Sequence, residues 1–268
     1  MAHYDIFRDQ LAIRFPAHGH ALWEPSPWAH VTSVGDVGYI REGRFHRLFN
    51  ILLPTNHPSH KNFGVPDNHE TFKPKVFEHI IPGKLSPDNF CSAGVASSLD
   101  PDGFGYQASR LARFISQVPC HSYSFRPNDP GEVMFSCREK QGAVLSLPIQ
   151  AKRENTVLRE GFGKWMIKHI DQWFAWILDR EVEVDRMEDI ILVTGTDHTR
   201  SWANVAFLGG QADARASFGV EVVATHSKIN WRFSPERKTG AAWHWGPSGE
   251  VWMAYGVFSH IDADLPLV

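Results

Sequence analysis

The sequence predicts an α+β fold: a bent, mainly antiparallel sheet carrying one long amphipathic helix, with a short helix near the N-terminus. Three observations lead there. From Phe162, apolar residues recur at Met166, Ile170, Trp173 and Ile177, and Trp165, Phe174 and Trp176 widen the stripe. Lys164, Lys168 and Asp171 occupy the other side. A spacing of about 3.6 residues is that of an amphipathic helix. Next, Asp189-Ile-Ile-Leu-Val-Thr-Gly195 reads as a buried strand. Finally, the C-terminal third alternates with period two. In Lys228–Ser234, Ile229, Trp231 and Phe233 are set against Lys228, Asn230 and Arg232, the pattern of a two-faced strand.

The remaining elements follow in order. Tyr4, Phe7, Leu11 and Phe15 share one helical face, with Arg8 and Arg14 beside it. The spacing predicts a short helix docked on the core. The flanking arginines also suit a surface that meets anionic lipid. Val37–Ile40 and Phe45–Leu53 are strand candidates around a tight turn at Glu42-Gly43. Pro54–Pro74, rich in Pro, Asn, His and Gly, is irregular. Val76–Ile81 and Cys91–Ser98 read as short strands, and Gln107–Gln117 as a short helix. Pro127–Gly131 is a turn. Val133–Cys137 and Ala143–Leu147 read as a hairpin across Glu139-Lys-Gln-Gly142. Ser201–Leu208 and Ala216–Ala224 alternate, the latter with Phe218, Val220 and Val222 on one face. Gly246-Pro-Ser-Gly249 turns the chain into Val251–Phe258. No repeat of fixed period and no low-complexity linker divides the chain, so one domain over residues 1–268 is expected.

Composition narrows the function classes. With 268 residues and 43% apolar content, the chain can bury a sizeable core. A net charge of -3 and basic residues in ones and twos argue against nucleic acid as a partner. Cys91, Cys120 and Cys137 are widely separated and form no CxxC pair. That spacing leads us to expect a reducing compartment and no disulfide framework. The N-terminus lacks the apolar core of a secretory signal, and no apolar run reaches the ~18 residues of a membrane helix. A cytoplasmic protein is expected. Later entry into a membrane as β-structure stays open.

Each cluster of chemistry-bearing residues has an ordinary explanation. His57-Pro-Ser-His60 with His69 has a metal-like residue type, but it sits in a Pro/Asn-rich loop with no regularly spaced Cys or carboxylate pair; solvated loop histidines are expected. His18 and His20 are weaker candidates still. Asp197-His198-Thr199-Arg200-Ser201 follows a buried strand, where catalytic groups often lie. Neighbours on one short turn rarely converge on one reacting atom, so a polar turn between strands is expected. Thr194-Gly-Thr196 belongs to neither GxxxxGK[ST] nor GxGxxG. His169 lies in the apolar stripe of the long helix as a core histidine. No catalytic residue, metal site or cofactor is assigned.

Two resemblances bear on function. The phrases Gly19-His-Ala-Leu-Trp-Glu-Pro25, Gly35-Asp-Val-Gly-Tyr-Ile-Arg-Glu-Gly43, Phe45-His-Arg-Leu-Phe-Asn50, His169-Ile-Asp-Gln-Trp-Phe174 and Glu188-Asp-Ile-Ile-Leu-Val-Thr-Gly195 resemble a large group of proteins from mushroom-forming fungi. That group brings no function with it. The order of elements resembles the pore-forming N-terminal domain of gasdermins. A short amphipathic helix and extended segment (Tyr4–Pro25) come first, then strands (Val37–Leu53). A helical stretch then leads into a strand of the Leu-Tyr-Val-Val-Thr-Glu kind, here Ile190–Thr194. A closing strand like Val-Leu-Ala-Tyr is here Val251–Tyr255. Gasdermin pore domains are usually basic, which this chain is not. A single domain without an autoinhibitory one is expected, as in some short non-animal members.

The resemblance implies a non-enzymatic, lipid-binding protein that forms a homo- or hetero-oligomer and permeabilises membranes in fungal cell death or self/non-self recognition. It would move from the cytoplasm to acidic lipid on activation. Arg8 and Arg14 would hold lipid headgroups. Phe218, Val220, Val222, Ile229, Trp231 and Phe233 would face lipid, after packing in the soluble form against the long helix and Tyr4–Phe15. Two other readings are an enzyme using His198 with Asp197 or Arg200 near Trp202, and a non-catalytic interaction module.

Overall fold

A computed structural model describes residues 1–25, 32–75, 79–100, 132–137, 139–199, 201–208, 214–223, 228–233, 241–245 and 253–259. The expected helix at 107–117, the turns at 127–131 and 246–249, and Arg200 lie outside them. The fold is α+β with antiparallel sheets, as the sequence predicts, but the strands form three sheets rather than one. The chain divides into two compact units. One comprises Met1–Pro16, Lys84–Ala151 and Thr199–Met253; the other comprises Ala17–Gly83, Lys152–His198 and Ala254–Val268.

The second unit contains the long helix. Strands β1 (Asp36–Arg41) and β2 (Arg44–Asn50) form a hairpin whose turn residues Glu42 and Gly43 have φ of 49° and 78°. Two successive left-handed residues are what a two-residue hairpin with native twist requires. The sheet runs β2, β1, β9 (Ile191–Thr199), β8 (Ala151–Thr156) and β3 (Ile80–Leu85), with β14 (Met253–Ser259) also paired to β9. At the irregularity after Val37, Gly38 brings its backbone so close to β2 that a Cβ there would lie 2.2 Å from the His46 carbonyl oxygen.

The long helix, α2 (Arg159–Leu178), is the predicted stripe made real: Phe162, Met166, His169, Trp173, Trp176 and Ile177 are buried. The Thr156 hydroxyl receives the Leu158 N–H just before its first turn. Glu160 and Lys164 pair one turn apart. Glu181, at φ 52°, makes the left-handed stop just past its C-terminus. α2 packs against Val37, Phe49, Ile51 and Leu192. Phe49 is the pivot, edge-on to Trp173 at 5.4 Å and to Trp176 at 5.6 Å between ring centroids.

The first unit holds α1 (His3–Arg14), which buries Ile6, Phe7 and Leu11. It packs on a four-stranded sheet ordered β13 (Ala241–Trp245), β10 (Ala203–Phe207), β7 (Gly142–Leu147) and β4 (Asp88–Cys91). Every residue of β7 and β10 is buried. The alternation of Ser201–Leu208 thus separates two covered faces, not a wet face from a dry one. The remaining sheet is ordered β12 (Lys228–Phe233), β11 (Ala214–Val223), β6 (Glu132–Cys137) and β5 (Val95–Asp100).

Two expectations are corrected here. β6 and β7 are not a hairpin: β6 pairs with β5 and β11, while β7 pairs with β4 and β10. The chain changes sheets between them. Gly142 allows the crossing, since a Cβ there would meet Cys137 Sγ at 2.6 Å and Val95 Cγ2 at 2.7 Å. Second, Cys91 is disulfide-bonded, whereas Cys137 is a free buried thiol.

Candidate functional site

The β12-β11-β6-β5 sheet separates its residues by parity. Register places Phe218 opposite Phe233, Val220 opposite Trp231, and Val222 opposite Ile229. All six residues expected to face lipid therefore occupy one set of opposed, alternate positions, which in a pleated sheet share a face. The same rows continue across the sheet. Leu99, Val133, Phe218 and Phe233 form one row; Ser97, Phe135 and Ala216 form another; Val95, Cys137 and Ala214 form a third. Of these, only Ser97 is polar. The other parity holds Asp100, Glu132 and Arg232 in one row with Gly219, and includes Arg215, Ser217, Glu221, Asn230 and Lys228 together with the apolar Ala96, Met134 and Val223.

On the apolar parity, Phe135 and Cys137 are fully buried, and the contact seen there is with β7 at Gly142. Within its own unit, α2 packs on β1, β2 and β9. β5 and β6 contribute to the surface although the sequence reading assigned lipid-facing positions only on β11 and β12. Val133, Phe135 and Cys137 alternate visibly, but Ser97 and the long insertion between the strands hid their partnership with Val95 and Leu99.

The two arginines of α1 differ. Arg8 Nε donates to Asp9 Oδ1 at 2.8 Å, and its Nη2 lies 3.6 Å from Asp5. Arg14 is exposed beside Ile13, itself 76% exposed. The helix end thus presents a cation next to an apolar side chain, while Arg8 is partly neutralised.

Asp197 and His198 lie inside β9, fully covered, which corrects the expected polar turn. Successive strand residues point to opposite faces. Arg153 clamps Asp197 through Nε at 2.7 Å and Nη2 at 2.6 Å. Burial works to raise the Asp197 pKa, yet the hydrogen bonds and charges of Arg153 and His18 together outweigh it and hold the carboxyl below its usual range. Arg153 Nη2 also donates to His18 Nδ1 at 2.9 Å. His198 instead meets the Thr196 hydroxyl at 2.8 Å, and burial lowers its pKa. Asp197 is committed to Arg153 and does not orient His198.

The histidines of the 54–74 segment are not all solvated. His60 is 3% exposed, its Nε2 accepts the Asn50 N–H at 3.1 Å, and burial lowers its pKa. His69 lies edge-on to it at 5.8 Å and meets the Leu53 carbonyl. Among the described residues no group of three or more His, Cys, Asp or Glu is arranged to hold a metal ion. His169 sits in the core between Trp165 and Trp173.

Behind His60 lies a buried acid that pattern reading passed over. Asp36 is fully buried. Its carboxylate accepts the Ser33 N–H at 2.7 Å and Asn50 Nδ2 at 2.8 Å, with Arg47 Nε 2.9 Å away. Burial dominates and pushes its pKa up to about 6, against Arg47, Ser33 and Asn50. This acid therefore favours the folded state most when protonated. Its contribution is full below the unfolded value of 3.8 and is lost as pH rises through about 6. Acidification from pH 7 to 4.5 should stabilise the natural protein relative to Asp36→Asn by about 2 kcal/mol. His46, His60, His169 and His198, all lowered first by burial, act oppositely in both proteins. Urea midpoints of the pair at the two pH values check this; a constant difference would refute it.

No family model matches the chain. Cobyric acid synthases from two strains of Dehalococcoides mccartyi are 26% identical to it over 133 residues, covering 49% of this chain and 26% of theirs. The chain thus spans about a quarter of the length of these curated relatives. A likeness of that extent does not assign it to a family.

Proposed function

We propose that the protein binds acidic lipid, oligomerises and permeabilises membranes, as a single gasdermin-like domain acting in fungal cell death or self/non-self recognition. The observation that supports this reading most is the parity of the β12-β11-β6-β5 sheet. Its register gathers most of the apolar positions of four strands into one set and every charged one into the other, which also holds Ala96, Met134 and Val223. A strand of about 9–11 such residues crosses a bilayer if its backbone groups pair within a closed barrel. β11 has ten residues; β5, β6 and β12 have six each and would lengthen on insertion. Each Å² of apolar surface moved from water to hydrocarbon contributes about 25 cal/mol.

Arg14, with Ile13 beside it, suits first contact with an anionic surface; Arg8 contributes once its pairing with Asp5 and Asp9 is exchanged for headgroups. The protein would rest in the cytoplasm and move to the membrane on activation. Among the described residues no helix is long and apolar enough to cross a bilayer, so insertion would proceed through strands. The test is dye release at micromolar protein from vesicles containing acidic lipid and from neutral vesicles, with electron microscopy of the same samples. Release restricted to acidic vesicles, with rings or arcs on them, is expected. Absence of both binding and release would end the proposal.

A further inference from the structure

The chain passes between the two units at Pro16/Ala17, Gly83/Lys84, Ala151/Lys152 and His198/Thr199 before its last crossing at Met253/Ala254. Within two residues of each of the first four stands a member of one cluster, wholly inside the second unit: His18, Gly83, Arg153 and Asp197. The Asp197 side chain is 0% exposed, while those of Arg153 and His18 are 23% and 24% exposed. Arg153 makes a two-pronged contact with Asp197 and donates to His18 Nδ1. Its aliphatic stem passes Gly83, where a Cβ would sit 3.6 Å from Arg153 Cβ and Cγ. These residues lie 135 and 44 positions from Arg153 in sequence for His18 and Asp197. Three remote ends of chain thus meet on the side chain of a fourth: His18 and Asp197 on the Arg153 guanidinium, and Gly83 along its stem.

We infer that His18, Arg153 and Asp197 form an electrostatic clasp that ties together the ends of the second unit's segments. The clasp controls local opening there rather than the stability of the helix core. Its geometry favours that role. A bidentate guanidinium–carboxylate contact fixes distance and angle together, and the partly open Arg153 and His18 can exchange their contacts for water. Asp197 cannot, so the clasp has two states, closed or sharply penalised. Opening would free residues 17–22, which lead away from α1, and the ends of β8 and β9. The inference stands apart from the membrane reading, because its test uses no lipid.

The test is hydrogen–deuterium exchange on the full chain. Arg153→Met should speed exchange at residues 17–22, 152–155 and 195–198 by at least tenfold, leaving the amides of α2 unchanged. Because an orphaned buried carboxylate can unfold the protein, Arg153→Met/Asp197→Leu is measured alongside; it removes both charges and should keep the α2 protection with the same local acceleration. His18→Ala should accelerate residues 17–22 alone. Unchanged exchange at 17–22 in the double variant, or acceleration spread evenly through α2, would overturn the clasp.

Discussion

Dye release from acidic vesicles is expected to fall roughly 30- to 700-fold when Trp231 is replaced by arginine. Trp231 sits opposite Val220 within the apolar parity. A basic residue at a lipid-facing strand position costs about 2–4 kcal/mol at the bilayer midplane, and each 1.4 kcal/mol is about tenfold in an equilibrium constant. An oligomer pays that cost in every protomer, so the loss of assembled pores should be steeper than the loss of binding. Asn230→Arg is the matched control. It adds the same charge one residue away, on the parity that already holds Lys228 and Arg232, and should leave release within about twofold. Equal release by Trp231→Arg and the natural protein, with both folded by circular dichroism, would show that these strands do not face lipid.

Truncation of Phe49 to alanine is expected to destabilise the second unit by about 3–5 kcal/mol. The ring is 0% exposed and lies edge-on to His69, Trp173 and Trp176 at 5.8, 5.4 and 5.6 Å. Its loss removes transfer free energy and leaves a cavity whose walls, a β-hairpin and a helix, cannot both collapse. Such aromatic contacts add about 0.5–1.5 kcal/mol each beyond burial, so Phe49→Leu should recover part of the loss. For a chain of this size the alanine variant should melt roughly 6–20 °C lower. A change below about 1 kcal/mol in denaturant midpoint would mean that Phe49 does not anchor α2.

Both experiments probe features that differ in how far sequence could foresee them. α2 was legible because its stripe repeats at helical spacing over more than four turns, and every buried residue on it belongs to that stripe. The β1–β2 turn was legible because Glu-Gly supplies two left-handed residues in a row. β8 was invisible: Ala-Lys-Arg-Glu-Asn-Thr has no apolar alternation, and it becomes a strand because β9 lies beside it, with Arg153 opposite Asp197. Asp36 was missed because one acid at a strand start gives no local sign of burial; Ser33, Arg47 and Asn50 receive it only once the hairpin has closed.

Taken alone, the chain determined its local periodicities: which stretches are helical, which alternate, and which side of each ribbon is apolar. These follow from backbone geometry, with repeats near 3.6 and at 2, so a few neighbouring residues suffice. The tertiary structure decided which strands are partners, and hence that β6 and β7 part into different sheets and that Val95 joins Phe218 on one surface. It also decided that His18 and Asp197 meet on Arg153. Such choices depend on which distant segments close on one another, and on a glycine such as Gly142 that lets two backbones come close enough, and no window of sequence contains that competition.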